Sequence, residues 1–404
     1  MTNVAIINYG AQHDYAAMLH ELADGVHVFS HNPLARHEGL ASYEHVVDCE
    51  FVPYAELRIR QLAEAEPFAY VITDNEYDLE RVARIREDLG VPGQSSASAT
   101  SFRDKVVMKD TASRTVGTPR YARLRTIVDL TDFIGANGYP VVVKPVSQGG
   151  SRDITVLRDE DELIAFSRRH WREDLMAEEF IDGEIYHVDA ILAPGYRFVA
   201  SSRYLRDCLG VISGQNNGSL QLDPRDKLAR RLEEFLDRVL DAFDTPEVGA
   251  YHLEVFRTRD DEFLLCEIAA RVGGSRIPAL TRLTYGLDLH ATWLRLSCGL
   301  PVEPAPTAVP AEVRGSIAVV PQGRPVRAPR SLPFEWVDQY QVNEQLALGA
   351  VPQNSTSHLC FALVRGASTA EVESRLLEAE AWILGNLVEV PGDDAAEPGR
   401  IPAP

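Results

Sequence analysis

Grouped cysteine is missing from this chain. Its five cysteines, Cys49, Cys208, Cys266, Cys298 and Cys360, are odd in number, far apart and free of CxxC or Cys/His spacing. They suggest neither a zinc site nor a disulfide framework and read as reduced core thiols. Positive charge is in deficit: 40 Lys and Arg face 60 Asp and Glu, a formal net charge of -20. That field repels polyanions, so no nucleic-acid or membrane partner is expected; small charged metabolites are compatible with a locally basic pocket. No apolar run approaches the ~20 residues needed to span a bilayer. The opening MTNVAIINYG lacks a basic region followed by an apolar stretch, so it reads as a first buried strand and not as a secretory signal. A cytoplasmic location is expected. No GxGxxG follows that strand, which removes the dinucleotide fingerprint. What is present is 404 residues with 45% hydrophobic and 25% charged content, enough for two or three lobes with cores of their own.

The first lobe, 1–100, alternates β-rich and helical runs. VAIIN (4–8), VHVFS (26–30), VVDCEFV (46–52) and FAYVIT (68–73) are strand candidates, and the alternation predicts a small parallel α/β lobe. Ser101 with Asp104 offers a capping box for a helix running toward Ser113. YPVVVKP (139–145) reads as a strand, and the polar stretch SQGGSRD before ITVL makes it a hairpin with a mobile tip. LMAEEFIDGE (175–184) is a further strand, turning at Asp182 and Gly183. Asp223 as N-cap and Pro224 after it open a helix to Phe243, whose Leu228, Leu232, Phe235, Leu236, Val239 and Leu240 recur at helical spacing. The proline-rich stretch 301–310 precedes a last subdomain, 311–390, whose final helix begins at a Ser368/Glu371 capping box. The tail 391–404 has too few large apolar residues to fold and is expected to be disordered.

Chemistry concentrates in YHLEVFRTRDDEFLLCEIAARVGGSRIP, residues 251–278, which reads as two strands joined by a charged turn. Pairing them around residues 259–262 sets Thr258 opposite Phe263 and Glu254 opposite Glu267. Opposed residues on one face hold their Cβ atoms ~4.5–5.5 Å apart, and like charges there are unfavourable, so a positive species should sit between them. Magnesium fits, since it takes one or two carboxylates plus phosphate oxygens; acids that merely face water are the competing reading. Arg271, Gly273, Gly274 and Arg276 follow, cations beside a loop whose amides can approach an anion. Phosphoryl transfer needs such positioning and charge neutralisation, although each residue alone also fits a surface ion pair or a plain turn.

On these residues the chain resembles the ATP-grasp superfamily, and within it the L-amino acid ligases that make dipeptides. The resemblance covers about residues 100–300. It implies a mixed α/β (α+β) fold: an N-terminal Rossmann-like lobe, a linker helix with a small lid subdomain over 101–185, a large subdomain with the metal site over 186–300, and the C-terminal subdomain. It implies ATP and Mg2+, with Mn2+ as a substitute, and small-molecule carboxylate and amine substrates; a homodimer is compatible. Lys105 and Lys144 match the two phosphate-contacting lysines. Ser147, Gly149, Gly150 and Ser151, in the loop up to Arg152, match the phosphate cover, where glycines let backbone N–H groups turn toward an anion. Glu178, Glu179, Phe180 and Ile181 match the adenine hinge, with Glu178 at the adenine amino group, and Glu184 matches the ribose position.

By the same resemblance Glu254 and Glu267 are the metal ligands. Arg271, Lys144 and Gly274 are catalytic, neutralising charge on the transferred phosphoryl group and on the later oxyanion. His252, Arg271, Ser275 and Arg276 face substrate; a hydrogen-bonded structural role for His252 stays open. Where the common pattern has Asn two residues after the second carboxylate, this chain has Ala269, which leaves metal stoichiometry open. The implied reaction is amide formation between a carboxylate, an amino acid, and an amine, a second amino acid, through an acyl phosphate with release of ADP. An ATP-grasp carboxylase or nucleotide-biosynthetic carboxylate-amine ligase, and a non-catalytic ATP-binding regulator, are the alternatives.

Overall fold

The computed structural model describes residues 2–8, 13–150, 152–169, 171, 174–206, 215–320, 326–343 and 358–389. Ser151, Cys208 and the tail 391–404 lie outside them. Strands β1 (Asn3–Asn8), β2 (Val26–Ser30), β3 (Ser42–His45) and β4 (Phe68–Thr73) form a sheet of order β3-β2-β1-β4. All its pairings are parallel. β1 is buried at every position, as a strand covered on both faces must be. The strand expected over 46–52 is instead a turn that follows β3; Asp48 there has φ 55, a left-handed conformation that breaks an extended run.

The helix expected from Ser101 to Ser113 is two helices, Ser96–Arg103 and Lys105–Ala112. Ser95 caps the first, and Ser101 lies inside it. Asp104 is the N-cap of the second, its Oδ1 accepting from the backbone N–H groups of Val106 and Val107 at 3.0 Å.

A second sheet, β5 (Tyr121–Leu124), β6 (Val141–Pro145), β7 (Thr155–Leu157) and β8 (Leu175–Glu179), has order β5-β8-β6-β7 and is antiparallel. Val141, Val143 and Ala177 enter its own core with Leu130 and Phe133. Strand alternation then turns Val142, Lys144 and Glu178 to the opposite face.

The largest sheet begins with β9 (Gly183–Ala193), β10 (Tyr196–Tyr204), β11 (Asn217–Gln221), β12 (Gly249–Thr258) and β13 (Phe263–Ala269). It continues with β14 (Val313–Val319), β16 (Val337–Val342) and β17 (Cys360–Gly366), in the order β13-β12-β9-β10-β11-β14-β17-β16. β15 (Val326–Arg327) and β18 (Val388–Glu389) form a short pair apart. One face of the large sheet packs on the helix Lys227–Leu240 through Leu232, Phe235, Leu236 and Val239. Each such side chain, fully buried, contributes about 1.5–3 kcal/mol. The helix starts at Asp226 and not at Asp223, whose carboxylate is held by Arg225 in the preceding turn.

Tyr251, Leu253 and Val255 of β12 and Tyr186, Val188 and Ala190 of β9 face that helix. Period two therefore sends His252, Glu254, His187 and Asp189 to the other side. In β13 the core residues Leu265 and Ile268 are three apart, not two. The cause is a register shift after the Glu254↔Glu267 pair, beyond which Arg257, not Thr258, faces Phe263. The extra residue puts both Cys266 and Glu267 on the polar side.

Candidate active site

The polar faces of the β5–β8 sheet and of β12 and β13 enclose a cleft. Its walls include Lys105, Lys144, Gly149, Gly150, Glu178, Glu179, Phe180, Ile181, Glu254, Cys266 and Glu267. Glu254 and Glu267 are direct register partners there. Positive groups do accompany the acid pair, and they are side chains. Lys105 Nζ lies 3.2 Å from Glu267 Oε2, while Glu254 Oε1 accepts from Tyr204 Oη at 2.7 Å and lies 3.6 Å from His252 Nε2. Burial opposes ionisation of Glu254, but the hydrogen bonds and charge of His252, with Tyr204, outweigh it and hold its pKa at about 2.

His252 is one end of a buried chain. Its Nδ1 is 2.8 Å from Asp189 Oδ1, and the other Asp189 oxygen lies 2.7 Å from His187 Nδ1. Burial pulls the His252 pKa down, yet Asp189 raises it to about 10. Gly273 lets the following loop pass this chain: a Cβ there would lie 2.2 Å from Asp189 Oδ1. Beyond it, Gly274, Ser275 and Arg276 lead into the helix Ile277–Tyr285. Arg276 is half-buried, its guanidinium 3.4 Å over the Phe361 ring and 3.0 Å from His358 Nε2.

On the side of the β5–β8 sheet, Lys144 Nζ is 2.8 Å from Glu178 Oε1 and Lys109 Nζ is 2.7 Å from Glu178 Oε2. Burial lowers the pKa of both lysines. Glu178 overcomes this for Lys144, which rises well above the usual lysine range, whereas burial prevails for Lys109. Lys109 also donates to the carbonyls of Leu265 and Cys266, both at 3.1 Å, so the bulge in β13 is tied to the helix Lys105–Ala112. Lys105 donates to the Gln148 carbonyl at 2.6 Å. Gly150 has φ +68, the left-handed region glycine tolerates, and the Gly149 N–H points at Tyr77 Oη, 3.4 Å away. Glu179 is bridged to Arg120 at 2.9 Å.

Not every residue singled out by sequence reaches the cleft. Glu184 projects to the other face of β9 from Ile185, accepting from Tyr186 Oη at 2.8 Å and pairing with Arg203 and Arg257 at 3.1 and 3.2 Å. The expected ribose-binding acid is thus an ion-paired surface residue here, because alternation carries it away. Ser147 is exposed, and its carbonyl accepts from Arg103. Arg271 is not on the cleft wall: it is bound to Glu76 at 2.7 Å and to the Val272 carbonyl at 2.9 Å. Arg103 grips the same Glu76 at 2.5 Å. Burial raises the Glu76 pKa, but Arg271, Arg103 and Lys105 outweigh it and bring it to about 2. Glu178 does line the cleft, where each of its two oxygens is paired with a lysine.

No family model matches the chain. Over 249 residues it is 25% identical to the L-arginine-specific L-amino acid ligase of Bacillus subtilis, a match covering 59% of each chain; less than two thirds of that relative's length is therefore spanned. The solved L-amino acid ligase from Bacillus licheniformis superposes with a TM-score of 0.77 at 19% identity, covering 96% of this chain and 99% of that one. The chain has the ATP-grasp fold. A carboxyaminoimidazole ribonucleotide synthase from Aspergillus clavatus complexed with ATP shares it, with a TM-score of 0.69 at 17% identity over 95% of this chain and 100% of that one.

The donor set at the cleft suits magnesium: two carboxylates from paired strands, hard oxygens beside lysines. Ala269 adds no ligand atom. Several site residues were missed by sequence. Lys109 carried a readable signal, since it stands one turn after Lys105 and so shares its helix face. Glu76, Arg103, Asp189 and Tyr204 carried none, because only tertiary contacts bring them to the site. Among the described residues no helix is long and apolar enough to cross a membrane.

Proposed function

We propose that the chain is an ATP-dependent ligase that joins the carboxylate of an amino acid to the amine of a second one through an acyl phosphate, releasing ADP. What carries the reading is the sharing of one cleft by two lysines, the glycine loop, the Glu178–Ile181 hinge and the opposed acids Glu254 and Glu267. Lys105 and Lys144 bind nucleotide phosphates as compact charges. Backbone groups of the hinge hold the adenine, and the amides near Gly149 and Gly150 cover the phosphates. Glu254 and Glu267 hold magnesium, which supplies charge neutralisation of the transferred phosphoryl group. The Gly273–Ser275 amides stabilise the oxyanion formed when the amine attacks, and Arg271 joins them once substrate draws it from Glu76. Arg276, stacked on Phe361 and 3.0 Å from His358 Nε2, receives a substrate carboxylate.

The test is phosphate release from ATP and Mg2+ against pools of amino acids, with mass detection of the amide. ADP, phosphate and an amide are expected in equal amounts. AMP and pyrophosphate as products would overturn the acyl phosphate route. Release driven by bicarbonate but not by amino acids would replace the reading with a carboxylase. ATP binding without any release would replace it with a regulator.

A further inference from the structure

The N-terminal sheet runs β3-β2-β1-β4, so the chain leaves β1 first toward one edge and later pairs β4 on the other side. The crevice beyond the carboxyl ends of β1 and β4 is therefore the switch point of the sheet, the place where open parallel sheets hold ligands. Two side chains flank it, His13 after β1 and Asp74 immediately after β4, with His13 Nε2 3.1 Å from Asp74 Oδ2 and side chains only 14% and 8% exposed. His290, in the first turn of the helix Leu289–Ser297, closes the third side, its ring centroid 4.4 Å from that of His13. One ligand atom from each of the three lies within 4.8 Å of the others. The pocket around them is otherwise apolar, walled by Ile6, Ile72, Trp293 and Leu294.

A second observation points to a ligand. Nδ1 of His290 is buried and has no hydrogen-bond partner. A buried polar atom without a protein partner is a position that an ion or a water can fill. Tyr15 Oη donates to Asp74 Oδ2 at 3.4 Å, the outer contact that orients a ligating carboxylate.

We propose that His13, Asp74 and His290 bind a divalent transition-metal ion that ties the N-terminal lobe to the helix Leu289–Ser297. Two imidazole nitrogens and one carboxylate oxygen suit zinc or a similar ion, and not magnesium, which prefers an all-oxygen shell. The site is separate from the Glu254/Glu267 pair and does not depend on the proposed ligase activity.

The probe is zinc itself. Full-length protein is equilibrated with Zn2+, passed into metal-free buffer and analysed by elemental mass spectrometry; about one equivalent should remain. Co2+ in its place should give visible ligand-field bands. Asp74→Asn and His290→Gln should each weaken binding about tenfold or more, with folding checked by circular dichroism. Should Asp74→Asn fail to fold, His290→Gln decides. Glu254→Gln should keep the zinc. Retention below about a tenth of an equivalent by the wild type, unchanged retention by folded His290→Gln, or loss in Glu254→Gln would each overturn the proposal.

Discussion

In the cleft, one carboxylate, Glu178, is held between Lys109 and Lys144; at the lobe boundary another, Glu76, is held between Arg103 and Arg271. Both clusters place one anion between two cations, but they join different things. The lysine cluster links the β5–β8 sheet to the helix Lys105–Ala112 and, through the Leu265 and Cys266 carbonyls, to the large sheet. Its members are nearly sealed from water, with side chains 0%, 7% and 3% exposed for Lys109, Lys144 and Glu178. The arginine cluster links the N-terminal lobe to the loop after β13, and its Glu76 and Arg271 side chains are 13% and 20% exposed. The difference teaches where charge is structural and where it is poised. A sealed pair cannot lose a partner cheaply, whereas a pair that water partly reaches loses less when it is broken.

The sharpest way to break the comparison is Glu178→Gln. It leaves two buried ammonium groups facing a neutral amide, and a buried pair broken on one side costs about 3–5 kcal/mol; thermal unfolding should record the fall. A change no larger than that of a surface variant would remove the distinction between the two clusters. Glu267→Gln comes next, and it acts on rate. Removing one carboxylate from the proposed metal pair should lower turnover about 10²–10³-fold, or about 3–4 kcal/mol. Its partner Lys105 reaches it from a partly open wall, so unliganded stability should change by about 1 kcal/mol or less. Magnesium with a non-hydrolysable ATP analogue should raise the wild-type melting temperature and raise that of the variant much less. Equal rises, with turnover kept, would return Glu267 to an ordinary strand residue.

Glu76→Gln should destabilise less than Glu178→Gln, by about 2–3 kcal/mol, because water partly reaches the pair. Its pH signature separates it further. The Glu76 pKa drops from 4.5 to about 2 on folding, so its contribution is present above pH 4.5 and is lost as pH falls toward 2. The variant should lack that portion of the acid limb in a plot of stability against pH; an unchanged limb assigns the acid sensitivity elsewhere. The smallest effect belongs to Arg120→Ala. Arg120 and Glu179 are 56% and 31% exposed at 2.9 Å, and an exposed pair of that kind contributes about 0–1 kcal/mol. A loss of ATP affinity beyond about threefold, read by calorimetry, would show that the bridge holds the hinge itself.

Much of the cleft was legible because its parts are short and local. PVVVKP and LMAEEF alternate by strand geometry, so which side chains share a face follows from counting in twos. The opposition of Glu254 and Glu267 is the one expected, although it is reached through a turn one residue longer whose offset the β13 bulge takes back. Counting in twos also sets Glu184 on the face opposite Ile185, and the ribose expectation ran against it. Where one extra residue enters, as in β13, counting fails: the pairing of Thr258 with Phe263 was lost to a bulge, while the acid pair on its near side was kept. Turn chemistry misled similarly at Ser101 and Asp223: the N-caps that start the following helices are Asp104 and Asp226, each three residues later.

What the sequence by itself determined are the elements, their polar faces and the residue types at the cleft, because periodicity and turn preference act over a few residues. Only the tertiary structure decided which distant charges meet. Glu76, Arg103 and Arg271 come from three segments up to 195 residues apart, and His13, Asp74 and His290 are equally scattered. No local preference draws such groups together. They are brought to one place by the burial of apolar faces on either side, and their charges are then satisfied by whatever partner the packed lobes present.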